Sequence, residues 1–522
     1  MAANDPADTV IMDTISRLPD DVLLDILGRL ATAGDVKTVA KTSILSRRWR
    51  SLPWSSQITN VFLDVGDFFH VDDDSGGWIP VRPRKREFWD QHEATARFTD
   101  ALARFLAAPP SNRVFEKLSL KFILTKHDLV RRIGALVAHA VDAGAVKNVE
   151  LEIVTELSRV DHEVEERIKP GYGDRFKHLL KDCPGAFRRR LTKLTLQNVW
   201  FRDTAEVNDL IFRGCDALEF LSLTWCGLTS PALDGDEAPP DRWHWPVLSI
   251  DAPQSRLQML LCDWCHIGGV ELVQAPALAA LRYLTFCLRD YPRPITFGCA
   301  PSSFKGLFLS RYQGATNSFK LSELLANSGG QLEWLILGFE GSKIWLEPER
   351  PEQLRAALGR LTHLDFRGIP PECNLSWVTF LLEAAPLLER LDIQISNRIC
   401  RPEWHKEGDR SADLTWELPS PDFTHRRLKH ISFHRAFHVE KDLPMARLLM
   451  ELAMNLQTVT LVVVKSLGCQ KCTDALPNFP DLAKSRLRFA EAREYYVDAL
   501  VKKLKDGSTS SAQIEIQIPD LV

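Results

Sequence analysis

Two pairs of cysteines have the spacing that thiol chemistry and metal binding use. Cys262 and Cys265 are separated by two residues, and so are Cys469 and Cys472. A C-x-x-C pair can form a redox-active disulfide, or it can supply half of the four ligands of a structural zinc site. The first pair falls in the register of a repeat described below, which predicts buried core thiols, and the second would need two distant ligands. We therefore expect neither a metal nor a cofactor.

Four histidines form the densest group of imidazoles in the chain: His425, His430, His434 and His438. The last two are four residues apart, but the H-E-x-x-H motif of zinc hydrolases is absent from the sequence. The G-x-x-x-x-G-K-[ST] loop that cradles phosphates and the G-x-S-x-G nucleophile turn are also absent. Core or solvated histidines are therefore expected. The sequence predicts no catalytic residue, and hence a protein that is not an enzyme.

The charge balance limits the classes of partner. The chain has 65 basic and 69 acidic residues and a net charge of −4, which favours neither nucleic acid nor membrane as a partner. No apolar run reaches the ~20 residues of a membrane span, and the start lacks the apolar core of a secretory signal. These two features predict a cytoplasmic or nuclear location, and the scattered cysteines predict reduced thiols. The basic run Arg82–Arg86 would suit nuclear import, although a solvated loop is its more ordinary interpretation.

An internal repeat, L-x-x-L-x-L with other apolar residues allowed, extends through most of the chain. Most copies from residue 257 onward follow at the ~20–29 residue period of leucine-rich repeats. Short predicted helices, such as the one ending before Pro386, separate the strands. One strand and one helix cannot bury their apolar faces alone, so stacked repeats must form a continuous core. The clearest copies begin at Leu191, Leu218, Leu332, Leu361 and Leu388, weaker ones at Leu257, Leu281, Phe304, Leu428 and Leu456, and further members at Phe115 and Val146.

The first sixty residues predict three short helices. Pro19 followed by Asp20 and Asp21 suits a helix start, and Pro53 ends the third helix. Apolar residues between positions 22 and 30 cover roughly 200° of the first helix, about twice what one core face needs. So small a segment cannot cover that surface itself, which indicates a partner surface. A helical cap on the repeats is the alternative interpretation.

Leu18-Pro19 with its acidic helix start, followed by Ser43-Ile-Leu-Ser-Arg-Arg-Trp49, resembles the F-box of plant F-box/leucine-rich-repeat proteins. The resemblance extends from Ile15 to Trp54. It implies that three helices dock on a Skp-type adaptor and, through it, on a cullin–RING (SCF-type) ubiquitin ligase. The residues that it places at the adaptor are Leu18, Pro19, Leu23, Ile26, Leu27, Ser43, Leu45, Ser46 and Trp49. The basic residues Arg47, Arg48 and Arg50 would instead suit a DNA-reading helix, but no recognition-helix pattern accompanies them.

The predicted fold class is α/β: a small N-terminal three-helix F-box followed by a leucine-rich-repeat (RNI-like) α/β solenoid with a parallel sheet on its concave side. The F-box is predicted at 14–57. A linker with irregular N-terminal repeats follows at 58–185, and the solenoid at 186–465. The stretch from Leu428 to Leu461 resembles the FBD-type region of plant F-box proteins, which predicts an FBD-like region at 415–522 that overlaps the last repeats.

Non-consensus residues beside the predicted strands are expected to bind an unknown protein substrate, because aromatic and arginine side chains desolvate large areas. They are Trp200, Trp225, Trp264 and Arg367. The alternative is that the tryptophans cover the solenoid's own edge. The sequence thus predicts a non-catalytic substrate receptor of a ubiquitin ligase. Two alternatives stay open: a scaffold that delivers no substrate, and a receptor gated by a small molecule near the basic run Arg188–Arg190.

Overall fold

The computed structural model describes residues 18–32, 59–69, 85–107, 114–156, 162–229, 246–286, 294–299, 301–312, 318–339, 344–370, 373, 375–396, 422–434, 439–462, 489–508 and 510–517. The chain forms two compact units. The first consists of Met1–His162 with Arg175–Leu194, and the second of Glu163–Asp174 with Thr195–Val522.

The first unit contains three parallel strands paired in chain order: β1 (Asn60–Asp64), β2 (Phe115–Ile123) and β3 (Val146–Val154). Phe115 pairs with Val146 and Leu118 with Val149, which confirms the repeat register predicted for these two strands. The repeat pattern does not identify β1. A short 3₁₀ turn follows it at Val65–Phe68.

Among the described residues, five helices lie along this part of the chain, and a fourth strand, β4 (Leu191–Gln197), follows the last of them. One face of the third helix is buried, at the i, i+3 and i+7 spacing of an amphipathic helix. That helix ends because Gly144 adopts a positive φ of 72°, and its amide donates to the carbonyl of Val141. The helices are α1 (Asp20–Thr32), α2 (Lys85–Ala107), α3 (His127–Asp142), α4 (His162–Lys181) and α5 (Pro184–Arg190).

In the part of the second unit that the structure describes, ten parallel strands form one ladder. The strands from β6 to β18 bury the apolar residues of the repeat pattern on one face. The last two apolar residues of each copy pair with their counterparts on the next strand. In ladder order, these strands are β6 (Phe220–Thr224), β9 (Met259–Asp263), β11 (Ala280–Phe286), β13 (Gly306–Tyr312), β14 (Trp334–Gly338), β15 (His363–Ile369), β16 (Arg390–Ile395), β17 (His430–His434), β18 (Thr458–Val462) and β19 (Gln513–Gln517).

Helices accompany most of these strands, as predicted. The predicted helices near positions 207, 321 and 377 are confirmed, although the first is one α-helical turn continued by a π-helical turn over Asn208–Phe212. The helices of this unit are α6 (Thr204–Val207), α7 (Leu321–Leu324), α8 (Pro351–Leu358), α9 (Val378–Ala384), α10 (Val439–Leu452) and α11 (Phe489–Lys505).

The expectation of one helix per repeat is wrong between residues 247 and 297. Three strands form a small parallel sheet there: β8 (Val247–Asp251), β10 (Gly269–Gln274) and β12 (Ile295–Phe297). Buried and less buried residues alternate along β8, which is the period of a strand rather than of a helix. A further pair of two-residue strands joins β5 (Trp200–Phe201) to β7 (Gly227–Leu228).

One repeat has a different register from the predicted one. Leu260 pairs with Leu281, and Cys262 pairs with Tyr283, so the repeat on β11 begins at Leu278, three residues earlier than predicted. Leu284, which the predicted register places among the core residues of the repeat, therefore lies on the opposite face of the sheet. The error arose because an apolar residue occupies both candidate registers, and only the fully buried Tyr283 distinguishes them.

Candidate binding surfaces

Helix α1 exposes apolar side chains. Val22 and Ile26 are one helical turn apart, and each is more than a third exposed (39 % and 36 %). The helix begins directly after Pro19, as predicted, and the Leu23 amide donates to the Pro19 carbonyl at 3.1 Å. Exposed apolar residues at i and i+4 form one stripe, the type of surface that a partner covers.

The predicted adaptor residues differ in their positions. Pro19 and Ile26 are exposed and Leu18 is half-buried, but Leu23 is fully buried within the chain, which does not support a direct docking role for it. Val22 was not among the predicted residues, although its spacing from Ile26 could have identified it. Of the remaining predicted residues, the side chain of Leu27 and all of Ser43, Leu45, Ser46 and Trp49 lie outside the described residues. Adaptor contact stays a prediction for the whole set.

A second surface is the open face of the second unit, by which we mean the side of the ten-stranded ladder opposite its buried apolar rows. Alternation along each strand places every second side chain there. On the strands used below, its members are Phe220, Ser222 and Thr224 (β6), Met259, Leu261 and Asp263 (β9), Arg282 and Leu284 (β11), Phe308 and Ser310 (β13), Trp334 and Ile336 (β14), His363, Asp365 and Arg367 (β15), Arg390, Asp392 and Gln394 (β16), and His430, Ser432 and His434 (β17).

The first part of the open face is apolar. Met259 is 41 % exposed and Leu261 is half-buried on the neighbouring position of β9. Trp334 lies across Gly306, where an added Cβ would be 1.9 Å from the indole ring. Only glycine leaves room for the ring to lie against the sheet there, so the indole and the half-buried Ile336 extend the apolar surface.

Three arginines of the open face are held in the same way. Each donates through Nε to an aspartate: Arg282 to Asp263 at 2.9 Å, Arg367 to Asp365 at 2.8 Å and Arg390 to Asp392 at 2.7 Å. The arginine side chains are 39 %, 40 % and 52 % exposed, but their aspartates are only 18 %, 11 % and 7 % exposed. The carboxylates therefore lie beneath the guanidinium groups.

Phe308 lies between two of these guanidinium groups. The Cζ atoms of Arg282 and Arg367 are each 5.0 Å from the centre of its ring, a cation–π distance. Arg367 reaches the ring past Gly338, which pairs with it on β14 and has no side chain to intervene. The cluster thus alternates carboxylate, guanidinium, ring, guanidinium and carboxylate.

Asp392 is the most enclosed carboxylate of the open face. Its Oδ2 lies 2.8 Å from Nε2 of His363 and accepts from Arg390, and its Oδ1 lies 3.6 Å from Nε2 of His434. Burial raises the pKa of Asp392, but the hydrogen bonds from His363 and Arg390 outweigh it, so the pKa falls well below its usual range. The carboxylate is therefore ionised and holds its basic neighbours in place.

Trp225 and Trp264 form a stacked pair at the carboxyl end of β6 and β9. Their rings are 6.2 Å apart at an interplanar angle of 18°. Both residues adopt a φ of 57°, a left-handed conformation that is unusual for a bulky side chain. Their amides donate to carbonyls of the next strand along, Asp263 and Leu284, which fixes this conformation. Backbone outliers of this kind often accompany functional sites.

The other two residues predicted to bind substrate, Trp200 and Arg367, differ in their exposure. Trp200 is buried at 9 % exposure, and its ring lies 5.1 Å from that of His266. This packing supports the alternative that it covers the repeats' own edge, and does not support an exposed anchor. Arg367 is on the open face, as predicted. The open-face residues that sequence reasoning missed are Arg282, Arg390 and Phe308, which the corrected register of β11 and the strand pairing would have placed beside it.

The cysteines predicted to be structural are confirmed as buried: Cys226, Cys262 and Cys265. The Cys226 thiol donates to the carbonyl of Leu196, and the Cys265 thiol to that of Leu223, so each links its repeat to the preceding one. Burial raises the pKa of the Cys226 thiol to about 12, which makes it unreactive at neutral pH. Cys469 and Cys472 lie outside the described residues.

His425 is a core histidine. Its Nε2 donates to the carbonyl of Ala385 at 3.0 Å, and its Nδ1 accepts from the amide of Leu428 at 3.0 Å. Burial lowers its pKa, so the ring is neutral. Within the described residues, no group of three or more metal-binding side chains occurs, and no helix has the length and apolar character of a membrane span. The basic run Arg188–Arg190 is exposed at the end of α5.

Comparisons with known proteins find similarity to F-box and F-box/LRR-repeat proteins. No protein-family model matches the chain. The chain is 26 % identical over 431 residues to the putative F-box/LRR-repeat protein At3g59170 of Arabidopsis thaliana, covering 74 % of this chain and 82 % of that protein. It is 30 % identical over 225 residues to the F-box protein At4g27050 of Arabidopsis thaliana, and spans 44 % of that relative's length.

Among solved structures, the leucine-rich-repeat-containing protein LegL7 of Legionella pneumophila overlaps 85 % of this chain and 97 % of its own, at 11 % identity and a TM-score of 0.28. The parallel ladder, with one repeat in register on each strand, defines a leucine-rich-repeat fold. Several F-box and F-box/LRR-repeat proteins of Arabidopsis thaliana are homologues of the chain at modest identity.

Proposed function

We propose that this chain is a substrate-recognition subunit of an SCF-type cullin–RING ubiquitin ligase. Its N-terminal helices bind a Skp-type adaptor and its repeats bind the protein substrate. The observation that supports this most is the exposed apolar stripe of Val22 and Ile26 on α1, in a segment that resembles an F-box. In this proposal the chain is not an enzyme and acts in the cytoplasm or nucleus.

The adaptor step is tested by replacing Leu18 and Pro19 together with Ala and titrating the purified adaptor by calorimetry. Loss of apolar anchors at the centre of an interface should weaken binding by about 2–4 kcal/mol, or roughly 30- to 1,000-fold. Arg29→Ala is the matched control, because Arg29 is on the same helix and its side chain is 81 % exposed. Undiminished binding by the double variant would contradict adaptor docking at this segment.

The separate roles proposed for the N-terminal helices and for the repeats are tested in a reconstituted ligase. Ubiquitin transfer to a bound target should require adaptor, cullin and RING subunit together. A variant with Trp225 and Trp264 replaced by Ala should bind the adaptor normally but lose the target, because the stacked rings offer a large, rigid contact area. Transfer by the isolated chain, or target capture by residues 1–60 alone, would overturn the proposal.

A further inference from the structure

The three arginines of the open face are built as prepositioned anion receptors. Each uses Nε to bond an aspartate beneath it, and no hydrogen bond among the described residues uses the terminal Nη groups of these three arginines. Holding a guanidinium through Nε leaves its Nη edge directed away from the carboxylate. Because the long side chain is already fixed in the free protein, less conformational entropy is lost when a ligand binds.

The spacing of two of these receptors matches an extended chain. Arg282 and Arg367 are on opposite sides of Phe308, so their Cζ atoms are no more than about 10 Å apart. Alternate side chains of an extended peptide are separated by about 7 Å and point to the same side. Two carboxylates at positions i and i+2 can therefore reach one guanidinium each.

The surroundings favour an acidic protein segment over nucleic acid. Each guanidinium is bonded to its own aspartate, so this part of the face presents separate donors and not the continuous basic field that a phosphate backbone requires. A few separated carboxylates, in contrast, need only local donors. The apolar side chains Met259, Trp334 and Ile336 lie beside the cluster and suit apolar residues adjoining the acidic ones.

We propose that the open face from β9 to β16 binds an extended acidic segment of the substrate, with carboxylates on Arg282 and Arg367 and neighbouring apolar residues on the patch around Trp334. This inference rests on the proposed function, because it names the class of substrate that the repeats bind. The charge complementarity of exposed guanidinium groups selects the occupant, and the apolar patch adds contact area.

The experiment uses the full chain and a fluorescent peptide, Glu-Ser-Glu-Ser-Leu-Ser-Leu, which presents two glutamates and two leucines on one side when extended. Fluorescence anisotropy should show saturable binding that weakens as salt is raised. Replacing both glutamates with Gln or Lys should weaken binding by about tenfold or more, because the charge-assisted hydrogen bonds are lost. Equal binding of the three peptides, no binding at millimolar concentration, or preference for an oligothymidine strand would overturn the inference.

Variants of the chain locate the site. Arg282→Gln with Arg367→Gln should weaken glutamate-peptide binding about tenfold or more, and the two Arg→Lys substitutions should restore part of it, since charge returns without the forked donors. Lys117→Gln with Lys121→Gln is the matched control. Both lysines are on β2 in the first unit, on the sheet face opposite the buried apolar residues, and their replacement should leave binding unchanged. Equal loss in control and test variants would contradict the site.

Adaptor titration of the same samples separates the two proposals. Intact adaptor binding without peptide binding ends this inference and leaves the proposed function standing. Peptide binding without adaptor binding contradicts the proposed function. Far-ultraviolet circular dichroism on each variant shows that the chain is folded, so loss of peptide binding by a folded variant is assigned to the substituted arginines.

Discussion

In each unit, the open side is the sheet face opposite the buried apolar residues. The strands pair in the same parallel way in both units, but the two open sides carry different kinds of side chain. In the first unit, lysines and glutamates on adjacent strands pair directly, with Lys117 to Glu150 and Lys121 to Glu152 both at 2.8 Å. Both partners of the second pair are similarly exposed, at 33 % and 42 %. In the second unit, Arg282 and Arg367 lie beside the ring of Phe308 and above aspartates that are 18 % and 11 % exposed. Strand pairing alone therefore does not fix the character of an open side, because the side chains decide whether its charges pair across strands or form an arginine–aromatic cluster above carboxylates.

The largest difference is expected for aromatic residues on the two sides. Phe308 is 7 % exposed between two guanidinium groups, whereas Phe62 on β1 is 43 % exposed. Phe308→Ala should lower the free energy of unfolding by about 3 kcal/mol, through lost packing and cation–π contact. Phe62→Ala should change it by no more than about 0.5 kcal/mol. Urea denaturation measures both, and equal effects would mean that the two sides are packed alike.

A smaller difference is expected for carboxylates. Asp392→Asn should cost about 1–3 kcal/mol of stability at neutral pH, since hydrogen bonds from His363 and Arg390 to a charged acceptor are lost. Glu150→Gln, whose partner Lys117 is 43 % exposed, should cost less than about 1 kcal/mol.

The contribution of Asp392 to stability depends on pH in one direction. Because the folded-state pKa of Asp392 is depressed, its contribution is complete above its unfolded pKa of about 4 and is lost as the pH falls below that value. The advantage of wild type over Asp392→Asn should therefore shrink in acid unfolding. A constant difference across that range would contradict the ion-pair explanation.

The smallest expected effect is on the pH dependence of stability, and it comes from His425. Because burial lowers the pKa of His425, the unfolded chain binds a proton more readily than the folded one. The second unit should therefore lose some stability as the pH falls below about 6.5, the unfolded value for histidine. His425→Gln should remove that part of the pH dependence. Thermal unfolding between pH 7.5 and 5.5 measures it, and an unchanged slope in the variant would reject His425 as the cause.

The repeat core could be predicted from the sequence because its signal is redundant. Leu335, Leu364 and Leu391 recur at intervals of 29 and 27 residues, and each is completely buried. The register on β11 could not be obtained in that way, since local apolar spacing fits two alignments there and only pairing with β9 decides between them. The sequence does not predict strands β8, β10 and β12, because the period of the repeats implies a helix in every interval.

The candidate site was predictable only in part. Arg367 and the tryptophans following β6 and β9 stand out in sequence because they replace small or consensus residues. Arg282 and Phe308 do not stand out, because their significance depends on Arg367 reaching across Gly338 from two strands away. Contacts between side chains that are tens of residues apart have no local signature, so they follow only from the paired strands.

The left-handed conformation of Trp225 and Trp264 has a consequence for engineering the repeats. Asn198, with a φ of 55°, occupies the corresponding place after β4 with a residue type that tolerates it. A consensus redesign for heat resistance would select asparagine or glycine at all three positions and relieve about 1–3 kcal/mol of strain at each tryptophan. Such a redesign would also remove the only stacked indole pair in the described part of the chain. At these two positions, thermostability and indole surface are alternatives between which a designer must choose.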